Sequence, residues 1–140
     1  MNNEFEDKIY HQLAYYTLAH PDKSFIHQNI VDAYAAQNAD ETTKPIKITF
    51  ALVGLYLCVD RGFTGRQAQL AHIALAKKRK TWPQIKLPKF RGEITAEDVL
   101  KSIPGKERDQ AILNWCKSVW DVYSSEHQKI SELVKSELNF

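Results

Sequence analysis

The sequence predicts an all-α protein, an irregular bundle of five or six helices around a central apolar helix at about residues 45–61. Apolar residues recur at helical spacing along most of the chain, and no segment shows the alternation typical of a strand. Five Gly and five Pro are too few for the many tight turns of a β-sandwich. A chain of 140 residues is the size of one domain with one core, so residues 1–140 are expected to fold as a single helical domain.

The first two predicted helices are separated by a residue that ends a helix and a residue that starts one. The first runs from about residue 4 to residue 19 and ends at Pro21, because a proline disfavours the helical conformation of the residue before it. Ser24 is a favourable N-cap and predicts the start of the second helix. That helix continues to about Asn38. Residues 24–40, "SFIHQNIVDAYAAQNAD", place His27 and Asp32 among its apolar residues.

The predicted central helix begins near residues 43–45 and ends at Gly62. A proline at residue 45 suits the first turn of a helix, where its missing N–H would have no partner. Apolar residues surround the whole circumference over residues 50–59, so this helix is expected to be enclosed by the others. The same apolar run is much shorter than the roughly 20 residues needed to span a bilayer.

The fourth helix is predicted from Thr64 and Gln67, which stand three apart as a capping box, to about Lys80. Residues 81–94, "TWPQIKLPKFRGEI", contain two prolines and a glycine and form the only long connection expected. The connection should therefore cross the surface between two groups of helices.

The remaining residues predict one short helix and one long one. Thr95 and Asp98 cap the short helix "AEDVLKSI", which is broken at Pro104 and Gly105. A final helix of roughly 30 residues, estimated from the stretch that remains before the C-terminus, completes the bundle.

Several classes of protein are disfavoured by the termini and the cysteines. The N-terminus is acidic and polar, where a secretory signal would be basic and then apolar. Cys58 and Cys116 each lie in an apolar helical segment, in surroundings that would raise a thiol pKa, and no zinc-type spacing exists. We therefore expect a cytoplasmic protein with two inert free thiols, and neither a catalytic cysteine nor a membrane partner.

Four of the five histidines fall on apolar stripes of four different predicted helices. Ligands projecting from several helices are how a bundle interior builds a metal or acid–base site. Neutral imidazole is a common ligand for divalent transition metals, and a bound water would then be activated for hydrolysis or group transfer. Without a metal, a histidine would act as a general base in a small-molecule pocket. The candidate ligands are His11, His27, His72, His127 and Asp32.

The competing interpretation of these histidines is structural. A histidine on an apolar stripe usually satisfies its nitrogens with a backbone carbonyl or a hydroxyl. The chain contains no His-Glu-x-x-His, no Glu-x-x-His and no Gly-x-Ser-x-Gly motif that would point to a defined chemistry. Catalytic residues are therefore not assigned from the sequence, and a structural or interaction protein without an active site is the third reading.

A basic segment supports an alternative function as a non-enzymatic binding module. Residues 61–91 carry nine Lys or Arg and no acid, and Trp82 and Phe90 are interleaved with them. Cations beside stacking aromatic rings suit single-stranded nucleic acid or an acidic partner. A run of lysines at a helix C-terminus also complements the helix dipole and is commonly just solvated. The candidate polyanion-binding residues are Arg66, Lys77, Lys78, Arg79, Lys80, Lys86, Lys89 and Arg91.

Four stretches carry a resemblance to a known family: "LAHPDKSFIHQNIVDAYAAQ", "KPIKITFALVGLYL", "GFTGRQAQLAHIALAKKRK" and "WCKSVWDVY". They resemble a family of small bacterial proteins known only as a domain of unknown function. The resemblance covers nearly the whole chain and implies a bacterial protein with an all-helical fold. A looser likeness is to DinB-like helical bundles, which bind a metal through three inward histidines, although this chain lacks their paired histidines one turn apart.

Overall fold

The computed structural model describes residues 4–20, 22–78 and 81–140, and these contain seven α-helices and no strand. The all-α prediction is confirmed, whereas the predicted count of five or six helices is not. The helices are α1 (Glu4–Ala19), α2 (His27–Gln37), α3 (Pro45–Arg61), α4 (Gly65–Lys78), α5 (Ala96–Lys101), α6 (Lys106–Val122) and α7 (His127–Leu138).

Helix α3 is the central element, as its apolar circumference predicts. Nearly every residue between Ile48 and Leu57 is buried, and the helix packs against α2, α4, α6 and α7. Pro45 occupies its first turn. Gly62 ends it in the left-handed conformation at φ 68°, a backbone state that glycine adopts at little cost. Helices α1 and α5 pack together at the periphery, against α2 and α6 respectively.

The predicted final helix is two helices joined by a short 3-10 turn at Ser124–Glu126. The Tyr123 hydroxyl donates to the backbone oxygen of Ala36 over 2.6 Å, which fixes the chain where α6 ends. The His127 ring lies parallel to the Trp120 ring, with centroids 3.8 Å apart, and its Nε2 lies 2.8 Å from the Trp120 oxygen. The His127 ring thereby bonds a carbonyl near the end of α6, and the Tyr123 bond anchors the break to α2, with no Gly or Pro at the break.

The start of α2 differs from the prediction, because Ser24 does not cap it. Phe25 adopts a left-handed φ of 53°, and the helix begins only at His27. The Ser24 oxygen accepts a hydrogen bond from the backbone N–H of Arg66 over 2.8 Å. A Cβ on Gly65 would lie 2.0 Å from the Phe25 oxygen, so glycine permits this close approach. Tertiary pairing with the first turn of α4 therefore overrides the local capping preference.

The two predicted capping boxes are confirmed. Gln67 N–H donates to Thr64 Oγ1 over 3.2 Å, and Thr64 N–H donates to Gln67 Oε1 over 2.8 Å. Thr95 and Asp98 exchange the same pair of bonds at the start of α5. Local spacing alone determined both caps, since every partner lies within one turn.

The connection at residues 81–94 carries neither helix nor strand, and the Gln37 side chain ties its second half to the bundle. The Gln37 Nε2 donates to the backbone oxygens of Arg91 and Ile94, over 3.0 and 2.7 Å. Its Oε1 accepts from the indole N–H of Trp115 over 3.0 Å. One amide thereby joins α2, α6 and the connection. Among the described helices, none combines the length and apolar character needed to cross a membrane.

Candidate functional site

A groove of about 260 Å³ opens between α2, α3 and α4, and we call it the α2–α4 groove. Two of the residues predicted as a functional set, Asp32 and His72, line it together. The other lining side chains are mainly apolar, with an amide and a cation among them. They are Gln28, Val31, Ala35, Ile46, Lys47, Phe50 and Ala51.

Asp32 reaches the groove from α2 and is almost fully buried against α3. Its carboxylate lies where a side chain on Gly54 would be, since a Cβ at Gly54 would fall 1.8 Å from Oδ2. Oδ1 accepts one hydrogen bond from the Gln28 amide over 3.1 Å. Burial raises the pKa of Asp32 well above its ordinary value, which one amide donor only partly opposes. The environment therefore favours the protonated carboxylic acid.

His72 reaches the same groove from α4 and makes two contacts with Phe50 of α3. Its ring stacks on Phe50, with centroids 5.2 Å apart, and its Nε2 lies 2.8 Å from the Phe50 backbone oxygen. A carbonyl only accepts, so Nε2 must carry the proton and Nδ1 of the neutral ring holds a lone pair. Burial lowers the pKa of His72, which the Phe50 carbonyl partly opposes. His72 is therefore a neutral base with an assigned tautomer.

Together, Asp32 and His72 place a neutral acid and a neutral base around one small space. Burial shifts both pKa values towards the neutral forms of the two groups, and perturbed titratable groups in one cleft are typical of a functional site. Lys47 adds a cation at the edge of the otherwise apolar lining. The arrangement can bind a small molecule with an apolar body and transfer protons to and from it.

His27, a second predicted ligand, serves a structural contact instead. Its Nδ1 lies 2.9 Å from the Thr17 hydroxyl, and that hydroxyl donates to the Ala14 backbone oxygen over 2.9 Å. Because the one hydroxyl proton is used on Ala14, Nδ1 of His27 must donate. The contact links α1 to α2, and burial lowers the pKa of His27.

The remaining two predicted ligands lie elsewhere. His127 stacks on Trp120 at the start of α7, as described above, and His11 is exposed on α1 beside the Tyr10 ring. Within residues 4–20, 22–78 and 81–140, no group of three or more His, Cys, Asp or Glu could hold a metal ion. The predicted set of five ligands is thus not assembled there, because stripes specify a face of each helix and not the depth at which residues meet.

The two cysteines correct a further expectation. Cys116 is fully buried and its pKa is raised, as predicted, but Cys58 is partly exposed and the neighbouring Cys116 thiol lowers the pKa of Cys58. The Asn29 amide adds a second donor, with its Nδ2 3.0 Å from Cys58 Sγ. Sequence position placed both thiols in apolar helices and could not show that they share polar neighbours.

The predicted basic surface is partly used for internal contacts. Arg91 donates to the backbone oxygens of Pro88 and Gln37, over 2.7 and 3.1 Å, and Lys78 donates to the Glu137 oxygen over 2.9 Å. The Arg66 guanidinium lies 5.1 Å from the centre of the Phe25 ring. Lys77, Lys86 and Lys89 are exposed, whereas Arg79 and Lys80 lie outside the described residues.

The aromatic residues of that surface divide in the same way. Trp82 is half-buried and packs edge-on against Phe50, with ring centroids 5.2 Å apart, so its ring belongs to the bundle. Phe90 remains exposed. Polyanion binding by this surface stays a prediction, with fewer groups available than the sequence indicates.

A second cavity, of about 240 Å³, lies between α1, α2 and α5. Tyr34 lines it and donates its hydroxyl proton to Asp7, and burial together with that carboxylate raises the pKa of Tyr34. Glu6 and Glu97 give its edge an acidic character. The cavity lacks a histidine or thiol, so its lining residues offer less chemistry than the α2–α4 groove.

Three residues that contact Asp32 or the two cysteines were missed from sequence. Gly54 carries the clearest signal, because a glycine inside an apolar helix often marks a close approach of another group. Gln28 lies one turn before Asp32, which is the spacing at which helical side chains interact. Asn29 gives no local signal, since its partners lie on α3 and α6.

Comparison with known proteins places the chain in a family. No curated protein and no solved structure matches it. A sequence model of a family of unknown function, DUF5946, matches residues 7–124, which include α2, α3, α4 and the whole α2–α4 groove. The resemblance to an uncharacterised family is therefore confirmed, and the chain belongs to the family of unknown function DUF5946.

Proposed function

We propose that the α2–α4 groove is a histidine-centred acid–base site for a small molecule. One observation carries the proposal: a buried carboxyl group and a histidine bonded to the Phe50 carbonyl line the same groove. Burying both groups costs free energy unless their charged forms are avoided, and a fold that keeps both in one groove is typical of a functional site.

The chemistry follows from the protons each group carries. His72 Nδ1 accepts a proton from the substrate, while its Nε2–H stays bonded to the Phe50 carbonyl, which stabilises the imidazolium that forms. Asp32 donates its carboxyl proton to an oxygen or nitrogen of the substrate. Gln28 then stabilises the resulting carboxylate through the hydrogen bond to Oδ1.

The groove also limits the substrate class. Its volume of about 260 Å³ is near the lower end of the range for ligand sites, so the substrate is small. Val31, Ala35, Ile46 and Ala51 suit an apolar body, and Lys47 suits one carboxylate or phosphate at the edge. We therefore expect the substrate to be a small carboxylate, with its apolar body against the apolar residues and its carboxylate near Lys47.

A titration with a panel of aromatic and aliphatic carboxylates, followed by NMR of the histidine rings, tests the proposal. We expect chemical-shift changes at His72 and at backbone amides around Asp32, saturating with ligand. His72→Gln and Asp32→Asn should each weaken binding, whereas the matched variant His11→Gln, on the exposed face of α1, should bind as the wild type does. Shift changes confined to other surfaces, or none with any carboxylate, would contradict the proposal.

A nitrogen-correlated ring spectrum supplies an independent check. The proposal requires the Nε2–H tautomer of His72 at neutral pH. A protonated ring, or the Nδ1–H tautomer, would remove the base from the groove and overturn the mechanism even if a ligand binds.

We further infer that the protein is bacterial, as the resemblance to its family implies, and that it works in the cytoplasm, since two free thiols suit a reducing compartment. Nucleic-acid binding by the basic surface remains the alternative function. It predicts retardation of a labelled oligonucleotide that is lost on adding salt.

A further inference from the structure

The thiols of Cys58 on α3 and Cys116 on α6 meet at one residue of α2, in a cluster that the proposed acid–base chemistry does not use. The Asn29 Nδ2 donates to Cys58 Sγ over 3.0 Å, and Cys116 Sγ donates to the Asn29 backbone oxygen over 3.5 Å. The Cys116 thiol is also close enough to the Cys58 sulfur to lower the pKa of Cys58. Both cysteines are free. Three helices therefore bring two sulfur atoms together.

Asn29 is a fixed donor. It is 4% exposed, and a Cβ on Gly65 would lie 2.8 Å from its Oδ1, so α4 closes over the amide. A buried amide that cannot turn away keeps its N–H directed at the Cys58 sulfur. Such a donor stabilises negative charge on that sulfur, because the thiolate is the stronger acceptor.

The two thiols differ in access and in acidity. Cys58 is partly exposed, whereas Cys116 has no exposed surface. The neighbouring Cys116 thiol lowers the pKa of Cys58, whereas the Cys58 sulfur and burial raise the pKa of Cys116. A reachable thiol of lowered pKa beside a buried thiol of raised pKa is the pattern of an attacking cysteine and its resolving partner.

We infer that Cys58 and Cys116 form a peroxide-reactive thiol pair, in which Cys58 attacks and Cys116 completes a disulfide between α3 and α6. The Cys58 thiolate attacks one peroxide oxygen, an S–O bond forms as the O–O bond breaks, and the hydroxide released takes up the proton that Cys58 lost. Cys116 sulfur then attacks the Cys58 sulfenic sulfur. The S–S bond forms as the S–O bond breaks, and the departing hydroxide leaves with the Cys116 proton as a second water. Hydrogen peroxide is the oxidant and both sulfurs are oxidised.

Peptide mapping after treatment with hydrogen peroxide tests the inference on the full-length wild-type protein. Trypsin releases Cys58 in residues 48–61 and Cys116 in residues 109–117. We expect these two peptides joined by a disulfide, in a monomer lighter by two hydrogens, with both thiols lost together. Cys116→Ala should instead leave a Cys58 sulfenic acid that dimedone traps. Cys58→Ser should leave Cys116 reduced.

Three outcomes would overturn the inference. They are oxygen uptake at Cys58 while Cys116 stays a free thiol, a disulfide between two copies of the chain through Cys58, and no oxidation of either cysteine in the folded wild type. Tryptophan fluorescence of Trp115 and Trp120, which are buried on the same helix as Cys116, checks that each variant is folded. If Cys116→Ala does not fold, the mapping of the wild type decides alone.

Discussion

The Asp32 carboxylate packs directly against Gly54, so that a side chain at residue 54 would overlap it. A Cβ at Gly54 would lie 1.8 Å from Oδ2 of Asp32 and 2.5 Å from its Cγ. A glycine within a helix is less favourable than alanine by about 1 kcal/mol. We attribute the glycine in the middle of α3 to the contact that it permits. It permits a buried carboxyl group to rest against the central helix at the edge of the α2–α4 groove.

Replacing Gly54 by Ala should destabilise the wild-type protein and stabilise a variant without the carboxylate. In the wild type, the added methyl overlaps Asp32 and should lower the free energy of unfolding by about 1–3 kcal/mol. In an Asp32→Ala background the same change removes a helical glycine and should be neutral or gain up to about 1 kcal/mol. Urea denaturation of the four proteins gives the coupling between the sites. Equal effects of Gly54→Ala in both backgrounds would contradict the close contact.

Asp32→Asn should stabilise the protein increasingly as the pH rises. Burial raises the pKa of Asp32 in the folded state above its unfolded value near 3.8, so the folded chain keeps a proton that the unfolded chain releases. Stability therefore falls as the pH rises above that unfolded value, until the folded pKa is passed. Asparagine removes this loss. The check is the difference in unfolding free energy between the variant and the wild type, measured at several pH values. These pH values lie below the range in which Cys58, Cys116 and Tyr10 titrate. A difference that stays constant with pH would refute the raised pKa of Asp32.

Acidification should destabilise the protein through its two half-buried histidines. Burial lowers the pKa of His72 and of His27 below 6.5, so the unfolded chain binds protons that the folded chain does not. Their contribution to stability is fully present above about pH 6.5 and is lost as the pH falls towards the folded pKa values. His72→Gln should flatten the pH dependence of the urea midpoint, and the double variant should flatten it further. Unchanged slopes would show that neither ring is buried as described.

Gln37→Ala should loosen the connection at residues 81–94. The substitution removes three hydrogen bonds and leaves the buried Trp115 indole N–H without a partner, at a cost of about 2–4 kcal/mol in unfolding free energy. Limited trypsin digestion should then cut first at Lys86 and Lys89, at a protease level that leaves the wild type intact. Gln69→Ala, a change of a glutamine on α4, is the matched control. Digestion that begins in α6 or α7 would point to global unfolding instead.

Local patterns predicted the parts of this protein that depend on near neighbours. The capping boxes at Thr64 and Thr95 and the end of α3 at Gly62 each involve residues within one or two turns. The apolar circumference of α3 predicted its central place for a similar reason, because a helix apolar on every side must be enclosed. Where the local signal competed with a distant one it failed, as at Ser24, whose carbonyl pairs with α4.

The candidate site shows the same division more sharply. Helical stripes identified His72 and Asp32 as inward-facing, and Gly54 carried a sign of close approach that could have been used. The stripes also identified His11, His27 and His127, which lie apart, because periodicity gives the face of a helix but not its depth or its rotation against a neighbour.

The sequence by itself therefore determined an all-helical chain, its caps, its central apolar helix and its membership of a family of unknown function. Only the tertiary structure decided that Asp32 and His72 share a groove, that Cys58 and Cys116 meet at Asn29, and that the last helix breaks after Val122. The physical reason is that these relationships join residues tens of positions apart, and side-chain packing between helices, not the local backbone preference, sets how such residues are aligned.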